Sequence, residues 1–281
     1  MDHKEDTFPT SDGLRLFWQC WRPDEPARAV LLIVHGVAEH SGRYRNLVDG
    51  LVPKGLALYA YDQRGHGRSP GKRGFIRSWM EYRNDLGGFI QVIQAHEPGI
   101  PLFLFGHSMG ALVVLDYLLN ARDGLRGAIV SGAPLDSSKA APPALIALAR
   151  VMSLVWPTLT LKSTLNPAQL SHDERVVQAY VEDPLVFKTL TARWGTEFLE
   201  AQSRVAARAQ AISLPILMVH GEADQICLVD GVRRFYAQIS SPDKSLIIYP
   251  GGYHESHNEP GYLQEVEDIA SWIEAHLSVN K

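Results

Sequence analysis

LFLFGHSMGALVVL, residues 102–115, decides the fold. An apolar run from Pro101 to Phe105 breaks into Gly106-His107-Ser108-Met109-Gly110, and a second apolar stretch then begins. The first run has the length and continuous hydrophobicity of a strand buried on both faces; the second opens a helix. Gly-X-Ser-X-Gly between them places the serine on a sharp, strained turn, where the flanking glycines let strand and helix pass without side-chain collisions. A hydroxyl presented on such a turn is a candidate nucleophile, and Ser108 therefore predicts partners elsewhere in the chain.

Working outward, further apolar runs read as buried strands: AVLLIV (29–34), LALYAY (56–61), GAIVSG (127–132), PILMV (215–219) and SLIIY (245–249). Amphipathic segments alternate with them. In the last one Tyr262, Val266, Ile269, Ala270, Ile273 and Leu277 share one helical face. This alternation predicts an α/β fold with a mostly parallel, doubly wound sheet. LRLFWQCW (14–21) reads as an antiparallel edge strand. About eighty residues separate the fourth and fifth of these runs after Ser108's strand is counted, too many for an ordinary crossover. That stretch is punctuated by Pro142, Pro143, Pro157, Pro167 and Pro184 and is expected to form a helical cap, residues 135–210, over a core of residues 1–134 and 211–281. Ligands of open α/β sheets bind at the carboxyl ends of the strands, beneath such a cap.

The 281 residues are 46% hydrophobic and 21% charged, with a net charge of −4, enough for a large core. Without a basic face, nucleic acid is not an expected partner. Two cysteines, Cys20 and Cys227, argue against a disulfide framework. The opening MDHKEDTFPTSDG lacks the apolar centre of a signal peptide, and no run is long and clean enough to span a bilayer. A soluble cytoplasmic protein is the expectation.

A neutral serine needs a base oriented by a carboxylate, in the chain order serine, acid, histidine for this strand–turn–helix context. Asp224 follows the 215–219 strand in VHGEAD, and His254 follows the last strand in YPGGYHESH. Glu222, Asp230 and His257 are the rivals: Glu222 is expected to point away or cap the turn, Asp230 to open the next helix, and His257 to lie on the far side of its loop. His107 and His220 are expected to be hydrogen-bonded turn residues. The oxyanion of an acyl-transfer intermediate needs two backbone donors, assigned to Met109, after the nucleophile, and Val37, in VHGVAEH (34–40). His35 and His40 lack a third ligand for a metal. DQRGHGRSPGKRG (62–74) lacks the glycine spacing of a nucleotide loop and is expected to brace the site, with Asp62 and Arg64 in local hydrogen bonds. No metal and no cofactor is expected.

Together, HGVAEHSGRY, YDQRGHGRSPGKRG, GHSMGA, HGEADQIC and GGYHESHNEP resemble the monoacylglycerol lipase and lysophospholipase branch of the α/β-hydrolases, over residues 30 to 260. The resemblance implies a serine hydrolase with Ser108 as nucleophile, Asp224 as acid, His254 as base, and Val37 and Met109 at the oxyanion hole. It implies cleavage of monoacylglycerols to fatty acid and glycerol, with lysophospholipids or other carboxylic esters as alternative substrates; a fold that only binds lipid is the remaining option. Ala111 departs from the branch, which carries a second glycine there, and is expected to tighten helix packing. PPALIALARVMSLVWPTLTL (142–161), with Arg150 its only charge, reads as a cap helix apolar nearly all round, and the resemblance implies that it lines an acyl-chain tunnel and offers a membrane contact. Cys227, near Asp224 in sequence, is expected to be a buried, inert thiol.

Overall fold

The computed structural model describes residues 1–120, 124–136 and 143–277. The strands are β1 Asp2–Pro9, β2 Arg15–Arg22, β3 Ala29–Val34, β4 Leu56–Tyr61, β5 Leu102–His107, β6 Leu125–Ser131, β7 Thr160–Lys162, β8 Thr189–Thr191, β9 Ile216–Gly221 and β10 Lys244–Tyr249. The helices are α1 Arg45–Leu51, α2 Met80–His96, α3 Met109–Leu118, α4 Pro143–Val155, α5 Glu174–Glu182, α6 Ala192–Ala207, α7 Val229–Gln238 and α8 Tyr262–Leu277. Eight strands form one sheet in the order β1-β2-β4-β3-β5-β6-β9-β10, parallel from β4 to β10 and antiparallel at β1–β2 and β2–β4.

The central strands are apolar throughout because both sheet faces are covered. Val30, Leu32 and Val34 of β3 join the core beneath α2, α3, α6 and α7, whereas Ala29, Leu31 and Ile33 join the core beneath α1 and α8. Full burial of one such leucine is worth roughly 1.5–3 kcal/mol, so strand register is firmly set. On α8, Val266, Ile269 and Ile273 are buried in that second core, with Tyr262, Ala270 and Leu277 packed at its margin, as the periodicity predicts.

Three expectations are corrected. LRLFWQCW forms an antiparallel strand, but β2 is internal: β1 pairs along its outer side and is the true edge. Polar β1 has only Phe8 buried, which suits a solvent-facing edge and hides the strand from hydrophobic pattern. The run 142–161 is not one helix, since α4 ends at Val155 ahead of Pro157 and the chain re-enters as β7; Pro142 lies outside the described residues. The segment between β6 and β9 is also not purely helical: β7 and β8 form a two-stranded antiparallel sheet. Among the described residues no helix is long and apolar enough to cross a membrane.

Candidate active site

Ser108 follows β5 directly and stands at the N-cap of α3 with φ 52° and ψ −120°. A non-glycine residue in that region is strained by about 1–3 kcal/mol, and the surroundings enforce it. Its N–H donates to Ser131 O at the end of β6 (2.9 Å), and its carbonyl accepts from Leu112 N–H (3.2 Å). The glycine at 110 is required by close approach: a Cβ there would collide with the Val34 carbonyl of the neighbouring strand. Ala111 is fully buried in the core at the head of α3.

Asp224 sits on the turn after β9, and His254 on the loop after β10. Asp224 Oδ1 accepts from the N–H groups of Ile226 (2.8 Å) and Cys227 (2.9 Å), which fixes the carboxylate plane. Its Oδ2 lies 2.8 Å from His254 Nδ1. A carboxylate can only accept, so Nδ1 carries the hydrogen and Nε2 is left as the basic nitrogen. Ser108 is 8% exposed and His254 2%, and both line one small cavity of about 10 Å³, room for about one water. Burial opposes charging of His254, but the Asp224 charge and hydrogen bond outweigh it and raise the imidazole pKa above its usual 6.5. Burial likewise opposes ionisation of Asp224, and the charge and hydrogen bonds of His254 and His220 overcome it, holding the carboxyl below its usual range.

Val37 and Met109 line, with Ser108, a larger adjoining cavity of about 410 Å³. The loop that presents Val37 is held from beneath. His35 Nδ1–H donates to Gly36 O (2.7 Å), its Nε2 accepts from Gln63 N–H (2.9 Å), and Gln63 Nε2 donates to His35 O (2.7 Å). Glu39 Oε1 accepts from Gly36 N–H (2.6 Å) and Tyr44 OH (2.8 Å). The arrangement can therefore combine a serine hydroxyl, an oriented imidazole and fixed backbone dipoles in one recess, the elements of acyl transfer.

A family model described as Hydrolase_4, serine aminopeptidase S33, matches residues 25–261. The chain belongs to that family. It is 34% identical to the monoacylglycerol lipase of Mycolicibacterium smegmatis over 97% of its own length and 98% of the relative's. It is 32% identical to the human monoglyceride lipase over 94% and 88% respectively. The solved monoacylglycerol lipase of Paleococcus ferrophilus superposes with a TM-score of 0.82 at 33% identity, covering 98% of this chain and 100% of that one. The expected α/β-hydrolase fold is thereby shown.

In this hydrolase the rival side chains stand apart from Ser108. Glu222 is exposed and accepts from Gly251 N–H (3.3 Å), while Asp230 lies in the first turn of α7 near Arg233. His257 is buried and stacked on Tyr44, with ring centroids 5.0 Å apart. Between it and His254 stands His107, 4.8 and 4.7 Å from the two rings. Burial lowers the pKa of His257 to about 4 and drives that of His107 well below normal. His40 bonds Asp183 (2.8 Å) rather than pairing with His35. Asp62 accepts from Ser41 and Arg68 N–H, and Arg64 forks onto Asp85, so the 62–74 loop braces the site as expected. Asp224, Cys227 and His254 bring ligand-type atoms within 4.8 Å of one another. Burial keeps the Cys227 thiol protonated and both Asp224 oxygens are committed to hydrogen bonds, so the trio fits a hydrogen-bonded site better than a metal.

Sequence reasoning missed three features. Arg43, Glu39 and Glu255 form a buried ionic cluster against the small cavity, under the ring of Tyr180. His220 reaches Asp224 as well as the turn. The large cavity is walled by α6 (Trp194, Phe198, Leu199) and by Ser163, Thr164 and Leu165; among the described residues none of the 142–161 run expected to line it does so.

Proposed function

We propose that this hydrolase cleaves the ester of monoacylglycerols through an acyl-enzyme on Ser108. The single observation that carries the mechanism is the 2.8 Å contact of His254 Nδ1 with Asp224 Oδ2 at the cavity shared by His254 and Ser108. Ser108 Oγ attacks the ester carbonyl as His254 Nε2 takes its proton, and Asp224 holds the imidazole in the productive tautomer. The carbonyl oxygen becomes an oxyanion that accepts from the N–H groups of Val37 and Met109, donors typically worth ~3–4 kcal/mol each. Collapse expels the glycerol alkoxide, which His254 protonates. A water then attacks the acyl-enzyme by the same route and releases the fatty acid.

The substrate class rests on the two curated relatives, matched along nearly their whole length. Residues 135–210 act as the cap and supply about half of the wall of the 410 Å³ acyl cavity, chiefly through α6 and Ser163–Leu165. The outer side of the cap suits a lipid surface. Leu154 and Val155 are 75% exposed, beside exposed Leu148, Val151, Trp156 and Leu161. Residues 143–172 contain Arg150 and Lys162 but no aspartate or glutamate. The protein is read as cytoplasmic, with peripheral contact through this face.

The test compares wild type with Ser108→Ala on monooleoylglycerol, lysophosphatidylcholine and a short aryl ester, alongside labelling by a fluorophosphonate. Monooleoylglycerol is expected to be the preferred substrate, with label and turnover both lost in Ser108→Ala. Preference for lysophosphatidylcholine or the aryl ester would replace the substrate reading. Persistent turnover in Ser108→Ala would overturn the mechanism.

A further inference from the structure

His220 is a fully buried histidine in contact with the acid of the triad, and the reaction scheme gives it no task. Its Nε2 lies 2.6 Å from the Cys227 carbonyl and 3.3 Å from Asp224 Oδ2. Both neighbours only accept hydrogen bonds, so the ring hydrogen is on Nε2 and faces the two together. The other nitrogen, Nδ1, has no hydrogen-bond partner. A leucine of similar size would leave the Cys227 carbonyl and Asp224 Oδ2 without this donor, so the imidazole is held here by its hydrogen bonds and not by packing alone.

Asp224 Oδ2 is thus approached by two ring N–H groups, from His254 at 2.8 Å and from His220 at 3.3 Å. We propose that His220 is a positioning residue for the hydrolysis. Its Nε2–H fixes Asp224 against the Cys227 turn and takes a share of the carboxylate charge that would otherwise fall wholly on His254. The inference rests on the assignment of Ser108, His254 and Asp224 as nucleophile, base and acid.

The sign of the effect follows from electrostatics. Removing the His220 donor leaves Oδ2 with one ring N–H instead of two, so the carboxylate stabilises the imidazolium of His254 more strongly and the base becomes harder to deprotonate. The acid limb of the pH–rate profile then moves to higher pH. The other titratable groups around the base are Glu39 and Arg43 after β3, His107 at the end of β5, Cys227 beyond Asp224, and Glu255 and His257 on the base's own loop. A change at position 220 leaves all of them in place.

The experiment measures kcat and kcat/KM against pH for the full chain with para-nitrophenyl butyrate, in wild type, His220→Leu and His220→Gln, with thermal melting alongside. In His220→Leu, kcat is expected to fall by about 10-fold, well short of the roughly 10⁴-fold loss that follows when the carboxylate itself is replaced. The acid midpoint is expected to rise by about half a pH unit. Glutamine can carry an amide N–H to the place of the ring Nε2, so His220→Gln is expected to restore the wild-type midpoint and most of the rate. Should the leucine variant not fold, His220→Asn replaces it; its amide is too short to reach Oδ2, and the leucine midpoint is expected. A midpoint that is the same in wild type and in the leucine or asparagine variant overturns the proposal, leaving His220 a turn filler. So does a glutamine variant that folds but keeps the shifted midpoint. Failure of the triad assignment reads out separately, as a wild-type protein that does not label at Ser108.

Discussion

Arg43 bonds both carboxylate oxygens of Glu255, at 2.7 and 2.8 Å, and Glu255 is the chain neighbour of His254. The same guanidinium reaches Glu39 Oε2 at 2.6 Å, and Glu39 Oε1 in turn holds Gly36 N–H, next to Val37. One buried cation therefore joins the loop of Val37, the proposed oxyanion donor, to the loop of His254, the proposed base. Arg43→Met leaves two buried carboxylates without their partner, a loss of roughly 3–5 kcal/mol for a broken buried pair. A melting temperature lower by about 10 °C is expected at this size, with kcat reduced more than KM is raised; differential scanning calorimetry and steady-state kinetics check both.

Asp224→Asn should abolish most turnover while leaving the fold intact. The backbone N–H groups of Ile226 and Cys227 need an oxygen at Oδ1, so the new amide nitrogen takes the Oδ2 place and points at His254. His254 Nδ1 must then accept, its hydrogen moves to Nε2, and the ring can no longer take the serine proton. A loss of about 10⁴ in kcat is expected for this wrong tautomer, with an unchanged melting profile. Retention of more than a hundredth of the activity would refute the role.

Activity should disappear on the acid side with a midpoint above 6.5. In the proposed mechanism only neutral His254 can act as base, and Asp224 raises its pKa against the opposing effect of burial. As pH falls through that raised value the imidazole charges and kcat/KM drops tenfold per pH unit. A pH–rate profile with a midpoint below 6.5 would contradict the electrostatic account.

Glu265 on α8 is buried, and burial pushes its carboxyl from 4.5 up to about 8. Between those values the folded chain holds a proton that the unfolded chain has lost, so this residue makes stability fall as pH rises, by up to about 1.4 kcal/mol per pH unit. Glu265→Gln cannot ionise. It is expected to melt close to wild type at pH 4.5 and at a higher temperature at pH 8. Parallel melting curves across that range would dismiss the assignment.

What the sequence disclosed and what it hid follow from range. β3, β4 and β5 were legible because burial on both faces writes an unbroken apolar run into five or six consecutive residues. Ser108, Asp224 and His254 could be nominated because each stands just beyond such a run, and the structure brings them together around one recess. β1 was not legible, because an edge strand with one buried residue, Phe8, has no pattern to read. Nor was the Arg43–Glu255 pair: 212 positions separate its members, and neither residue carries a local signal of the other. The apolar run at 142–161 was legible as greasy but not as to which neighbour it met; its helix packs on α6, while α6 itself faces the cavity.

The order of strands also sets a timetable. β5 brings Ser108 early in synthesis, but its neighbour β6 is bordered by β9, and β10 lies beyond that, so Asp224 and His254 arrive only with the last quarter of the polypeptide. A nascent chain halted before β10 would hold a strained serine with no base, and β9 would be an open flank for mispairing. Under the proposed roles, ester turnover in a stalled preparation counts only molecules whose final strand has docked, which makes the reaction itself a clock for completed folding.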